Sequence, residues 1–461
     1  MLPRRRPGAT PTLPGSYQVR RRTSRAAGAG SAATLRTRVD HDVTPTPEDA
    51  APRIDPEQFV AELRNAGVTL VSGVPDSLLA PFLSACADGF GPERHHLAVN
   101  EGCAVAVAAG HHLATGSVPL VYFQNSGLGN ATNPLLSLAD PDVYGLPMVL
   151  LVGWRGEPGR HDEPQHVAQG RVTTDVLTAM GVPHRLLAAD GDVAGRAALR
   201  WALAAARERA GPVALLVRRG AFAPRAGAAP GDTAAVPGDT AAAPGDTATA
   251  PGAGSDPSLT RRRAIEAVID ALGPEVVVVA TTGKAGRELF AVRRERGHDD
   301  ARDLLTVGSM GHASQIALGL ARARPDLQVV CLDGDGAALM HLGGLASVGT
   351  SACANLLHVV LNNGAHDSVG GQPTVALAID LVAIARGCGY AAAHGPFGDP
   401  ARITATVRSW LHGGGGPVFL EARVARGARS DLGRPDRPPR AAGARLMAAL
   451  AAAVPADRRL R

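Results

Sequence analysis

Short, predominantly apolar runs recur along this chain, and the segments between them carry their apolar residues at helical spacing. The runs lie at 68–71, 120–123, 148–152 and 213–217, and again at 276–280, 328–332, 356–361 and 418–422. Helix-period segments occupy 101–114 and 193–209 in the first group and 261–272, 314–322, 375–386 and 401–411 in the second. A strand with no polar side is buried on both faces, and the intervening helices are what cover it. The pattern predicts an α/β fold with two doubly wound parallel sheets.

Between the groups, Pro-Gly-Asp-Thr starts at Pro230, Pro237 and Pro244, a seven-residue repeat. Proline and glycine in each unit exclude a coiled coil, so the stretch reads as a flexible linker. The expected organisation is a disordered Arg/Pro/Gly-rich leader over 1–53, an α/β domain over 54–222, the linker over 223–257, a second α/β domain over 258–425, and a tail over 426–461 with a short helix. Much of the arginine behind the net charge of +5 sits in the leader and near the C-terminus. No basic stripe interleaved with aromatics marks a nucleic-acid surface. No segment reaches the roughly 20 apolar residues that span a bilayer. Five cysteines without a CxxC pair suit a reducing cytoplasm better than a disulfide or zinc framework.

The most specific local feature is Gly334-Asp335-Gly336 after one apolar strand, with Asn362-Asn363 after the next, 25 residues between them. In open α/β sheets ligands gather at the carboxyl ends of strands, where these two clusters can meet. Mg²⁺ takes hard oxygen ligands together with phosphate oxygens and water, and Asp335 and an asparagine offer such oxygens. The glycines allow close backbone approach, and a helix starting near Gly336 aims N–H groups at an anion. Each half alone also fits an ordinary Gly-Asp-Gly or Asn-Asn-Gly turn.

This spacing resembles the thiamine diphosphate enzymes. The resemblance implies thiamine diphosphate and Mg²⁺ as cofactors, with the metal held by Asp335, Asn363 and the main-chain carbonyl of Ala365, and the diphosphate by Gly334 to Gly336. It places Glu101, in Asn100-Glu101-Gly102, against N1′ of the aminopyrimidine, where a carboxylate favours the tautomer needed for proton abstraction. Glu101 also fits a first-turn acid that complements a helix dipole. Gly308-Ser309-Met310-Gly311 looks like the element that bends the cofactor, with Met310 as the wedge; a methionine in such a loop can otherwise be a gap filler. The two halves of such a site usually meet across a subunit interface, which implies at least a homodimer.

Within these enzymes the chain resembles the phosphonopyruvate decarboxylases, and the related sulfopyruvate decarboxylases, over nearly all of 55–425. The motifs are Gly73-Val74-Pro75-Asp76-Ser77, Gln124 to Asn130, Trp154-Arg155-Gly156-Glu157-Pro158, Asp162-Glu163-Pro164-Gln165-His166, Thr281-Thr282-Gly283, and Asn362 through Gly371. The implied reaction converts 3-phosphonopyruvate to phosphonoacetaldehyde and CO₂ in phosphonate natural-product biosynthesis. Asp76 lies where related decarboxylases keep a proton-transfer acid, and equally fits a helix N-cap. His366 and Asp367 could relay protons or order the metal loop. A substrate with two anions needs several donors; the candidates are Arg155, Lys284 and Arg287, with Gln124, Asn125 and Ser126. A linker stands where carboligating synthases carry a middle domain, which counts against that activity. Sulfopyruvate decarboxylation stays open, and a non-catalytic cofactor-binding protein is the alternative of another class.

Overall fold

The apolar runs become parallel strands. In the computed structural model, which describes residues 52–225, 258–413 and 415–453, they form two six-stranded sheets. The first contains β1 (Val71–Gly73), β2 (His95–Leu97), β3 (Leu120–Gln124), β4 (Met148–Gly153), β5 (His184–Leu187) and β6 (Pro212–Val217), in the order β2-β1-β3-β4-β6-β5. The second contains β7 (Val277–Ala280), β8 (Asp303–Leu305), β9 (Val329–Gly334), β10 (Leu356–Asn362), β11 (Ala392–Phe397) and β12 (Val418–Arg423), in the order β11-β12-β10-β9-β7-β8. Read from its other edge, the second order repeats the first strand for strand. The chain thus builds one topology twice, each time with a reversal of winding at the first strand. The leader up to Ala51 and most of the linker, 226–257, lie outside the described residues.

Central strands such as β4, β6 and β10 are buried at every position, as their composition predicts. The edge strands β2, β5, β8 and β11 escape a reading based on apolar runs. His-Arg-Leu-Leu in β5 and Ala-Ala-His-Gly-Pro-Phe in β11 keep exposed positions because one side has no neighbouring strand. The helix expected over 375–386 is shorter: Asp380 caps Leu381–Gly387 by accepting the Ala383 N–H at 2.8 Å. The residues before it form a strap, with Thr374 donating its N–H to the Gly364 carbonyl.

Two helices join the halves. In Glu101–Thr115 every residue from Gly102 to Leu113 is buried, because one side faces its own sheet and the other faces the helix Ala313–Ala323. The contact is backbone to backbone: a Cβ at Gly110 would lie 2.1 Å from the Ile316 carbonyl oxygen, and one at Gly319 would lie 2.2 Å from that of Val107. Gly102 meets His312 and Gly110 meets Ile316 and Leu320, so the helices run in the same direction. The C-terminal helix Pro439–Ala452 packs on both the Glu101 helix and β8, and Arg445 pairs with Asp299 and Asp300. No helix among the described residues is long and apolar enough to cross a membrane.

Burial pushes His96 down to about 3, and His111 and His312 down to about 4. A histidine that stays neutral when folded but takes a proton near pH 6.5 when unfolded gives stability that is full above that pH and lost as the pH falls. Each such group contributes a slope approaching ~1.4 kcal/mol per pH unit. Denaturant unfolding at pH 7, 6 and 5 should therefore show a shallower pH dependence in His96→Gln than in the parent chain. Parallel curves would place the His96 ring in water.

Candidate active site

The loops after β7, β9 and β10 enclose a cavity of about 340 Å³ at the carboxyl end of the second sheet. This is the point where winding reverses between β7 and β9, the usual ligand crevice of such sheets. Of the residues singled out from the sequence, Lys284, Arg287, Met310, Gly334, Asp335, Gly336, Asn363, Ala365, His366 and Asp367 line it together. Asp335 is only 2% exposed. Burial pushes its carboxyl above the usual range, against hydrogen bonds from the Thr374 hydroxyl and the Gly336 and Asn363 backbone N–H groups. No cationic side chain among the described residues pairs with it. The His366 ring lies over Gly336, where a Cβ would come within 2.6 Å of Cε1.

Asp367 is an anchor in this arrangement. Its Oδ2 accepts from Arg261, from Asn363 Nδ2 at 2.7 Å and from the Gly427 N–H at 3.0 Å. Arg261 also faces Glu288 at 3.5 Å. These contacts fix the chain on either side of Asn363 and favour the ordering role for Asp367 over proton relay. Asn363 Oδ1 accepts the Ala365 N–H at 3.1 Å, which tightens the turn.

Glu101 starts its helix, with Asn100 as the cap accepting the Cys103 N–H at 2.8 Å. Its carboxylate accepts from Asn130 Nδ2 at 2.7 Å and lies so close to Gly127 that a Cβ there would sit 2.4 Å from Oε1. The adjoining Gly102 touches His312, two residues beyond Met310. One chain therefore brings the helix that starts at Glu101 against the helix that follows Met310, whereas the sequence resemblance implies a meeting across subunits. Gly308 and Ser309 do not line the cavity; they rest on Ser137 of the first half.

A second group forms at the equivalent end of the first sheet, after β1, β3 and β4. Asp76 is buried, with Oδ2 lacking a hydrogen bond, and Oδ2 would lie 2.0 Å from a Cβ at Gly153. Burial pushes its carboxyl up, with Arg155 acting against it. Arg155 is committed: it binds Asp162 through Nε at 3.0 Å and Nη2 at 2.6 Å, and Ser77 through Nη1 at 2.8 Å. Asn125 spends its amide on the Arg155 carbonyl and Thr173 Oγ1. Gln124 Nε2 donates to Ser126 Oγ at 2.7 Å. By contrast, Lys284 and Arg287 have no side-chain hydrogen bond or ion pair among the described residues.

Sequence reasoning missed Arg261, which is 5% exposed and lines the cavity, and Thr374, which reaches Asp335 from the strap. A signal for Arg261 existed: Arg261-Arg262-Arg263 opens a helix, where cations oppose the dipole and need another reason to be there. Thr374 carries no such mark.

The site suits a metal diphosphate. A buried carboxylate without a counter-cation stands beside an asparagine and a carbonyl oxygen, the hard donor set of Mg²⁺. In the same cavity the cations Lys284 and Arg287 and the glycine backbone of 334–336 suit an anion. Residues 56–178 match the thiamine pyrophosphate enzyme N-terminal TPP binding domain, and residues 282–422 match the C-terminal TPP binding domain. The chain is 38% identical over 387 residues to phosphonopyruvate decarboxylase of Streptomyces hygroscopicus, covering 83% of this chain and 90% of that protein. It is 30% identical over 338 residues to sulfopyruvate decarboxylase of Methanosarcina acetivorans, covering 73% and 83%. In fold it is similar to benzoylformate decarboxylase of Polynucleobacter necessarius, with a TM-score of 0.58 at 15% identity over 80% of this chain and 98% of the other. A doubled α/β topology with an acid on one half and a metal diphosphate cradle on the other now has a family: the chain belongs to the thiamine pyrophosphate enzymes, among the relatives of phosphonopyruvate decarboxylase.

Proposed function

We propose that this protein decarboxylates 3-phosphonopyruvate, releasing CO₂ and, after uptake of one proton, phosphonoacetaldehyde, as a step in making phosphonate natural products. The observation that carries this reading is the 38% identity over 90% of a phosphonopyruvate decarboxylase, joined to a cavity with two uncommitted cations. Bound thiamine pyrophosphate supplies an electron sink for the charge left by CO₂ loss. Asp335, Asn363 and the Ala365 carbonyl would hold Mg²⁺, and Gly334 to Gly336 would cradle the diphosphate. Glu101 would hydrogen-bond the aminopyrimidine, with Asn130 and Gly127 fixing the orientation of its carboxylate. Gly308, Ser309 and Met310 would form the loop that supports the cofactor, with Met310 as the side chain that lines the cavity.

Asp76 keeps its proton to a higher pH than an exposed aspartate, which suits a donor to the nascent aldehyde carbon. His366, over Gly336, is a second proton carrier at the cavity wall. Lys284 and Arg287 are assigned to the distal anion; each sits in the first turn of the helix Lys284–Glu295, where a cation gains nothing from the dipole. Gln124 and Ser126 are neutral donors, while Asn125 and Arg155 shape the wall they bind. We further propose a cytoplasmic homodimer or larger assembly whose subunit interface borders sites that each chain builds from its own two halves. Thiamine pyrophosphate enzymes are typically oligomeric, and Val369 and Val375 near the cavity are 74% and 64% exposed in the single chain.

The test is turnover of phosphonopyruvate and of sulfopyruvate by the purified chain with thiamine pyrophosphate and Mg²⁺, following CO₂ and aldehyde. Phosphonopyruvate should be preferred, and Lys284→Ala should raise its KM at least about tenfold through loss of a charge-assisted contact. A preference for sulfopyruvate would overturn the substrate assignment, and turnover of neither would overturn the activity.

A further inference from the structure

The loop 305–311 leads from β8 toward the Ala313 helix and carries Met310 into the cavity. Its backbone is unusual: Gly308, Ser309 and Gly311 have φ of 67°, 42° and 87°. Ser309 bears a Cβ, so its conformation persists only where the surroundings over-determine it. The bonds that do so come from the other half of the chain. The Ser309 N–H donates to Ser137 Oγ at 2.7 Å, and that hydroxyl lies 2.8 Å from both the carbonyl and the side-chain oxygen of Asn133. Tyr144 donates to the Leu305 carbonyl at 2.8 Å and accepts the Val307 N–H at 3.2 Å. A Cβ at Gly308 would fall 2.6 Å from Ser137 Cβ, so the two backbones lie flush. Ser137 itself sits in a π-helical turn, Leu135–Ala139, a form frequent at functional sites.

We propose that Ser137 and Tyr144 are positioning residues for the reaction. They clamp the loop at both ends, setting how far Met310 stands into the cavity and hence the bend imposed on the cofactor. Neither lines the cavity. The first half thus contributes to the site twice: through Glu101, and through two hydroxyls that shape a loop of the second half. This inference rests on the reading of Met310 as the wedge.

The test compares Ser137→Ala, Tyr144→Phe, their combination, Met310→Ala and the triple variant, all in the full chain with thiamine pyrophosphate and Mg²⁺. Each hydroxyl variant removes only the bonding oxygen. The combined variant should lose roughly tenfold in kcat with KM within about twofold, because misplacing a reacting group by less than an ångström costs rate before affinity. The near-ultraviolet circular dichroism of the bound cofactor should shift toward that of Met310→Ala. In the Met310→Ala background the two hydroxyl substitutions should add little, as expected for groups acting through one residue. The proposal falls if Met310→Ala lowers kcat and alters the dichroism while the hydroxyl variants do neither, or if the effects multiply independently. If Met310→Ala changes nothing, the wedge reading itself fails and the proposal with it.

Discussion

Glu101→Gln should lower turnover on the order of a hundredfold or more while the chain still binds thiamine pyrophosphate and Mg²⁺, because a general acid–base group contributes about 10²–10⁴ to rate. Glutamine keeps the length that fits against Gly127 and an oxygen that can accept from Asn130, but removes the carboxylate. The helix cap on Asn100 is untouched, so folding should be preserved. Asp335→Ala should do the opposite. It removes the one carboxylate in the metal cradle and should weaken cofactor binding at least about tenfold, the lower range for damage to a metal site. Titration calorimetry of cofactor with Mg²⁺, beside steady-state CO₂ release, separates the two; interchanged outcomes would mean the roles of Glu101 and Asp335 are misassigned.

Gly319→Ala should destabilise the chain by roughly 1–3 kcal/mol or more, the range for overpacking a dense interior. The added methyl would lie 2.2 Å from the Val107 carbonyl oxygen and 3.0 Å from the His111 nitrogen, both backbone atoms of a buried helix. Neither can rotate away as a side-chain tip would, so the helices must part. Gly387→Ala is the matched control, since a Cβ there meets nothing within 4 Å. Replacing a helical glycine at such a position is neutral or mildly stabilising. Denaturant midpoints of the two variants that moved together would show that the helix pair is looser than these contacts imply.

Whatever the chain states within one short segment was legible in the sequence. Strands covered on both faces show as apolar runs, and Asp335 and Asn363 stand beside glycines and strand ends that announce a ligand crevice. Residues whose meaning depends on a distant partner were not legible. Thr374 reaches Asp335 across 39 positions, while Ser137 meets Ser309 across 172. Serine and threonine have no pattern that reveals such a partner. The edge strands were hidden for a different reason: half-covered strands carry mixed residues, and β5 and β11 look like loops. Arg155 and Asn125 carry the right chemistry for an anion, but their neighbours Asp162 and Thr173 consume it.

Gly110 lies nine residues beyond Glu101, about 13 Å along the axis at 1.5 Å per residue, and its partner Ile316 lies six residues beyond Met310. The alignment of acid and wedge is therefore gauged at a distance from both. Loops such as the one after β7, which leads to Lys284 and Arg287 in the first turn of the next helix, take no part in that gauge. Such a division separates what fixes the reaction from what selects the substrate. Substitutions in those loops could retune the accepted acid, whereas enlarging Gly110 or Gly319 would slip the chemistry out of register for every substrate alike.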